Sequence, residues 1–486
     1  MVNFPLVYKI IGSLLFLLGT LLFVCVGISA YYGEDDLMAF LISAILTICA
    51  GFILKYMGRT ADNNLSRRDS YLLVTATWIV FSFFGMLPFI IGGYIPNVTS
   101  AYFETMSGFT TTGATILDDV EWLPHGILYW RTQTQWIGGL GIVFFTIAIL
   151  PSMVGSGSVK VFAAEATGPI RSKMHPRLST MAKWIWTIYL GLTVACIFSF
   201  YFCGMSWFDS INYAMTTTAT GGFATHNDST AYFQSPAIDY VSILFQFLAG
   251  INFAMLYMAI FKLKVSALFK SSEFKLYLFI VSASTLFITY LLITRNGYGL
   301  EHAFRSSLFQ VVSFITTTGL FNDDVAMWPH ITWVIMGILM FIGACSGSTT
   351  GGFKCIRGVM VFKVLRNEFR RILHPNAVLP VKVNGQPVSQ QKLSTLLAFF
   401  AIFSVMVLIS ATIMIVSGID NTNAIAIALS CISNVGPSLS TDIGPAMSWG
   451  ELPDYIKWTC SFLMLVGRLE IMSVLVLFTR AFWKDN

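Results

Sequence analysis

Thr110-Thr111-Thr112-Gly113 is a short polar run in a strongly apolar chain, and it recurs. It returns as Thr220-Gly221-Gly222, as Thr316-Thr317-Thr318-Gly319, and more loosely as Ser433-Asn434-Val435-Gly436. The final glycines lie 109, 97 and 117 residues apart. Each run follows a segment too short to cross a bilayer and lies between two segments long enough to do so. Four near-equal units, each placing one turn at one membrane depth, predict four backbone strands around a common axis. Backbone that is not helical is tolerated at membrane depth only when buried in protein or lining a water-filled cavity. Glycine permits angles that aim carbonyls inward, and rings of carbonyls can replace the hydration shell of a potassium ion. The C-terminal end of a short helix before each turn adds partial negative charge at the same place. A single Thr-Gly pair would read as helix packing. Four at matched positions read as a cation pore.

The composition agrees. The chain has 486 residues, of which 56% are hydrophobic and 11% charged, with mean hydropathy +0.72. Soluble domains carry roughly 25% charged residues, so this is an integral membrane protein. Apolar runs of helical length exclude a barrel. The eight cysteines show no CxxC and no Cys/His cluster, and they read as small buried hydrophobes. The N-terminus lacks a strong basic region or a cleavage site, so the first span is expected to be retained.

The predicted architecture is an all-α polytopic membrane protein. Two leading spans (10–31 and 37–56) and a basic link fill residues 1–68. Four span–short helix–span repeats follow in pseudo-fourfold arrangement: 69–156, 157–265, 266–375 and 376–486. Their spans are expected at 71–94 and 128–153, 182–203 and 238–261, 277–294 and 331–365, and 393–416 and 455–483. The short helices are expected at 100–110, 207–219, 301–315 and 422–432. Units one and three also share a trailing Asp-Asp-Val and Pro-His, at 118–120 with 124–125 and at 323–325 with 329–330, which supports an internal repeat. With the N-terminus inside, 24 of the 29 Lys and Arg fall on inner segments and 17 of the 24 Asp and Glu on outer ones. Both termini are therefore expected in the cytoplasm, and the outer mouth is acidic, which concentrates cations.

Two further features stand out. Gly343-Ala344-Cys345-Ser346-Gly347-Ser348-Thr349-Thr350-Gly351-Gly352 interrupts an apolar span, and no GK[ST] makes it a phosphate loop. Gly343, Gly347 and Gly351 at four-residue spacing fit a packing ridge. Ten consecutive small residues fit better a flexible intramembrane gate. Arg468 lies mid-span, where a charge costs about 2.5–3.5 kcal/mol and faces a cavity or a partner. It reads either as one half of a structural ion pair or as a positive charge below the turns that slows cations. Glu470, two residues on, does not share its helix face. His125 and His330 follow prolines and carry no metal-ligand spacing. Gly138-Gly139-Leu140-Gly141 reads as helix packing rather than a dinucleotide site. No catalytic constellation, nucleotide fingerprint or nucleic-acid signature is present.

At TTTGAT (110–115), ATGGFAT (219–225), TTTGLFN (316–322), SNVGPSL (433–439) and GRLEIMSV (467–474) the chain resembles the Trk/Ktr/HKT superfamily of potassium transporters, closest to the bacterial TrkH branch. The resemblance implies that the carbonyls of Thr111, Thr112, Gly113, Thr220, Gly221, Gly222, Thr317, Thr318, Gly319, Asn434, Val435 and Gly436 form the ion path. Glycine in all four turns implies potassium preference. It also implies a homodimer in the bacterial inner membrane, with one pore per protomer. Its nucleotide control would come from a cytosolic TrkA-type ring, with the basic loops 159–183, 262–275 and 366–392 as docking surfaces. A proton- or sodium-coupled symporter and the potassium-binding subunit of an ATP-driven pump are the alternatives. An integral membrane enzyme would need clustered catalytic residues that the sequence does not offer.

Overall fold

The computed structural model describes residues 2–61, 65–141, 178–377, 379–439 and 448–484. The second half of the expected span 128–153 and most of the basic loop 159–183 lie outside these residues. Apolar helices dominate what is described. Six are long and apolar enough to cross a membrane, and eight are if each of two sharply bent pairs is counted as one span. The chain is a multi-pass helical membrane protein.

The leading pair, α1 (Phe4–Tyr32) and α2 (Leu37–Met57), packs through small residues. A Cβ on Gly12 would stand 2.6 Å from the Gly51 carbonyl, and one on Gly51 2.8 Å from the Gly12 carbonyl. Lipid supplies no hydrophobic drive between helices, so close backbone approach of this kind holds the pair together.

Each of the four stretches expected as repeat units opens with a long helix: α3 (Arg67–Gly85, continued by Leu87–Ile91), α6 (Leu178–Phe202), α10 (Ser272–Asn296) and α14 (Gln390–Val416). Ser66 and Asp69 form a reciprocal capping box at the start of α3. The short helices are α4 (Val98–Phe109), α7 (Trp207–Ala219), α11 (Leu300–Ile315) and α15 (Asn421–Ser433). Asn97, Ser206 and Asp420 cap three of them, accepting from backbone N–H groups of the first turn. At about 1.5 Å per residue, these 12 to 16 residues fall short of a bilayer core of roughly 30 Å.

The closing helices depart from expectation in units two and four, where continuous spans were predicted over 238–261 and 455–483; the expected span 331–365 was already read as interrupted at Gly343–Gly352. The helices instead stop early: α5 (His125–Gly139), α8 (Pro236–Ala249), α12 (His330–Ile342) and α16 (Asp454–Arg468) run for 15, 14, 13 and 15 residues. The chain then turns by 106° into α9 (Phe253–Ile260) and by 109° into Met472–Phe478. In unit three, residues 343–354 are non-helical and α13 (Cys355–Leu373) follows. Freed backbone groups at each break find partners. The Asn252 side chain caps α9, the Cys345 N–H donates to the Gly250 carbonyl at 3.1 Å, and the Ile471 N–H donates to the Val466 carbonyl at 2.9 Å. Hydropathy alone cannot see such breaks, because the residues on either side stay apolar.

The all-α expectation also omitted a small hairpin. Lys382–Val383 pairs antiparallel with Gln386–Pro387 across Asn384-Gly385, whose φ angles are +50° and +81°. It lies within the basic stretch 366–392. An Asn-Gly pair between β-prone residues is the strongest short-range hairpin signal, so it was readable. Among the described residues the buried apolar side chains form two cores. One joins the leading pair with units one and four, where Tyr102 packs on Trp458 with ring centroids 4.8 Å apart. The other joins units two and three.

Candidate ion pathway

The four turns share one backbone conformation. The first residue of each is left-handed: Thr111, Thr220, Thr317 and Asn434 have φ of +53°, +55°, +55° and +55°. The glycine two positions on is positive as well, at +83°, +88°, +79° and +95° for Gly113, Gly222, Gly319 and Gly436. The residue between donates its N–H five residues back into its own short helix. Thr112 bonds Ser107, Gly221 bonds Thr216, Thr318 bonds Ser313 and Val435 bonds Ser430, at 2.8 to 3.1 Å. Positive φ is costly for threonine and asparagine and routine for glycine. The non-glycine strain is held by burial, since Thr111, Thr220, Thr317 and Asn434 are at most 1% exposed.

Contacts between the turns close on themselves. A Cβ on Gly113 would meet the Gly221 carbonyl oxygen at 2.1 Å, and one on Gly222 the Thr318 oxygen at 2.3 Å. One on Gly319 would meet the Val435 oxygen at 2.3 Å, and one on Gly436 the Thr112 oxygen at 2.3 Å. Unit one thus touches two, two touches three, three touches four, and four returns to one. All four glycines line one open cavity, together with Thr115, Asp118, Arg131, His226 and Trp449.

Buried polar groups set the walls. Arg131 Nε donates to Glu104 Oε1 at 2.9 Å, and neither side chain is more than 2% exposed. Arg131 also donates to the Ala224 carbonyl at 3.1 Å and lies 4.3 Å over the Phe223 ring. Glu104 accepts from the Ile116 N–H at 3.0 Å, so the pair ties unit one's short helix to the chain leaving turns one and two. At the rim, burial pushes the Asp209 carboxyl up, but the His226 ring 3.5 Å away and hydrogen bonds from Ser206 and Thr225, each 2.7 Å, outweigh it and hold the group below the ordinary carboxylate range.

The segment Gly343–Gly352 is not helical, which removes the packing-ridge reading. It lies against turns three and four. The Gly351 N–H donates to Thr317 Oγ1 at 2.7 Å, and a Cβ on Gly351 would stand 2.1 Å from the Ser433 carbonyl. Gly343, Gly347 and Gly352 all have positive φ. Ser348 Oγ donates to the Cys345 carbonyl at 2.6 Å and lies 2.8 Å from Thr350 Oγ1. Ser346 donates its N–H to Glu273 at 2.6 Å, and Asn252 Nδ2 donates to the Ser346 carbonyl at 2.5 Å.

Arg468 is 8% exposed, and its guanidinium donates to three backbone carbonyls: Thr349 of this segment, and Gly138 and Gly139 at the end of α5, each at 2.7 Å. Glu470 pairs instead with Arg357. This agrees with the expectation that Arg468 and Glu470, two residues apart, do not face each other. The glycine run 138–141 packs as expected, since a Cβ on Gly138 would meet the Phe109 carbonyl at 1.7 Å. It also supplies two acceptors that the sequence did not suggest. Lys354 and Arg357, counted above with the inner loops, are 2% and 5% exposed, and Lys354 Nζ donates to Thr350.

Sequence reasoning missed Gln135, Glu104, Arg131, Asn252, Glu273 and Lys354. A signal was available, because each is a polar or charged residue in or beside an apolar run, and such residues are rare in membranes unless they have partners. His125 does have a partner: its ring nitrogen lies 2.7 Å from Glu34 Oε1, joining the leading pair to α5. Among the described residues no His, Cys, Asp and Glu gather in a way that could hold a metal ion, and the eight cysteines are free.

Broken helices, buried charge and four matched turns facing one cavity define a membrane transport protein of the cation class. A family model described as "Cation transport protein" (TrkH) matches residues 36–485. The Trk system potassium uptake protein TrkH of Salmonella typhimurium is 34% identical over 487 residues, covering 99% of this chain and all of that protein. TrkI of Halomonas elongata is 35% identical over 456 residues, covering 93% and 91%. The crystal structure of the potassium transporter TrkH from Vibrio parahaemolyticus superposes with a TM-score of 0.89 at 33% identity, covering 99% of this chain and 100% of that one. The chain belongs to the TrkH family.

Proposed function

We propose that this protein takes up potassium across the bacterial inner membrane through a channel-like pore, and that the four turns are its selectivity filter. The observation that carries this reading is the closed cycle of contacts in which each turn's glycine abuts the next turn's carbonyl oxygen. The cycle supports four repeats, at 69–156, 157–265, 266–375 and 376–486, in pseudo-fourfold order behind two leading spans. The backbone oxygens of residues 111–113, 220–222, 317–319 and 434–436 then replace water around a potassium ion. The relatives named for potassium uptake support the choice of ion.

In this reading Gly343, Ser346, Gly347, Ser348, Thr349, Thr350, Gly351 and Gly352 form the gate, and Arg468 holds it closed from the cytoplasmic side. The orientation follows the distribution of basic residues, with both termini in the cytoplasm. The protein works as a homodimer, and nucleotide control reaches the gate from a cytosolic TrkA-type ring docked on the basic inner loops. The test is uptake by purified protein in liposomes under a potassium gradient. Potassium entering without a co-ion gradient supports the channel reading. Uptake that tracks a proton or sodium gradient, or that requires ATP, refutes it.

A further inference from the structure

Gln135 is fully buried on α5 of unit one, yet its amide reaches into the turn of unit two. Its Oε1 accepts from Thr216 Oγ1 at 2.7 Å and from the Phe223 N–H at 3.1 Å. A backbone N–H can only donate, so the amide orientation is fixed and Nε2 faces the other way. There it donates to the Gly221 carbonyl at 2.7 Å. That oxygen is the one a Cβ on Gly113 would strike at 2.1 Å. Gln135 therefore lies at the joint between turns one and two and sets where the Gly221 oxygen stands.

The other turns are held differently. Turn three is held through Thr317 Oγ1, which accepts from the Gly351 N–H. Turn four is held through Asn434 Nδ2, which donates to the Met464 carbonyl at 2.9 Å and to Thr112 Oγ1 at 3.0 Å. Among the described residues, Gly221 has the one mid-turn carbonyl tied back by a side-chain amide. A carbonyl has two lone pairs, so this oxygen can still face an ion. It cannot, however, follow a smaller ion inward without breaking the amide bond.

We propose that Gln135 is a specificity-determining positioning residue: its amide holds the second turn open to the width of dehydrated potassium and keeps the turn from closing on sodium. This rests on the reading of the turns as the filter. The test measures potassium against sodium preference, each as chloride, in proteoliposomes carrying the full chain. Three variants are compared with the wild type: Gln135→Met, close in size but unable to hydrogen-bond; Thr216→Val, which removes one anchor of the amide; and Gly113→Ala, which alters the filter itself.

Of the three hydrogen bonds that Gln135→Met removes, the one to the Gly221 carbonyl positions the turn, and its loss corresponds to about a fivefold change. Gln135→Met is expected to lower the preference for potassium by about that factor, through a raised apparent KM for potassium and a lowered one for sodium. Thr216→Val is expected to shift it in the same direction by less, and it decides the matter if Gln135→Met does not accumulate in the membrane. If Gly113→Ala changes the preference while Gln135→Met and Thr216→Val leave it unaltered, the role of Gln135 is overturned and the filter stands. If Gly113→Ala also leaves it unaltered, the filter reading falls and this one with it.

Discussion

Replacing Arg468 with alanine removes three charge-assisted hydrogen bonds at once, to Thr349, Gly138 and Gly139. Only the bond to Thr349 ties the guanidinium to the segment read as the gate. A hydrogen bond from a charged donor is worth about 1.5–3 kcal/mol. Since about 1.4 kcal/mol is a factor of ten, losing that bond shifts the open–closed equilibrium about 10- to 100-fold toward open. The positive charge read as opposing cation passage disappears in the same step. Potassium influx into liposomes, normalised to reconstituted protein, is therefore expected to rise by about tenfold or more, levelling off once the open state predominates. Arg468→Lys should fall between, because one ammonium cannot span carbonyls on two separate elements as a planar guanidinium does. Influx that stays flat or falls in Arg468→Ala, with normal protein in the membrane, refutes this. Arg468 would then be a strut between α5 and the Thr349 segment rather than a brake.

Three other outcomes follow from the same geometry. Gly319→Ala drives a Cβ to 2.3 Å from the Val435 oxygen at a φ of +79°, and overpacking of this kind costs about 1–3 kcal/mol. Potassium uptake and its preference over sodium should both drop in a cation competition series. Arg131→Met leaves the buried Glu104 carboxylate unpaired, a loss of about 3–5 kcal/mol. The thermal midpoint in detergent should fall, and adding Glu104→Gln should recover part of it. The Asp209 carboxyl is held below its ordinary range, so its contribution to stability is complete above that range and disappears as pH falls through the lowered value. Thermal midpoints measured across that acidic window should decline less steeply in Asp209→Asn than in the wild type.

Much of the local structure was legible. The short helix Trp207–Ala219 was read to the residue, and the ends of the other three to within one or two, because Gly-containing turns and capping residues mark their ends. The packing-ridge reading of Gly343–Gly352 gave way because the segment is not helical, and Gly343, Gly347 and Gly352 take positive φ. The breaks after Ala249 and Arg468 were missed, since apolar residues continue on both sides and a hydropathy window averages across them. Asn252 in the middle of such a run was the available clue, as an amide there requires partners.

Sequence alone determined the membrane class and the position of each glycine turn, because hydropathy, spacing and φ preference are properties of short stretches of chain. Only the tertiary structure decided which groups meet. Arg468 bonds carbonyls 329 and 330 residues away, and Asn434 bonds Thr112 across 322. Such partners are chosen by where helices stop and cross inside a medium without water, where each buried donor must take the acceptor that packing brings within reach.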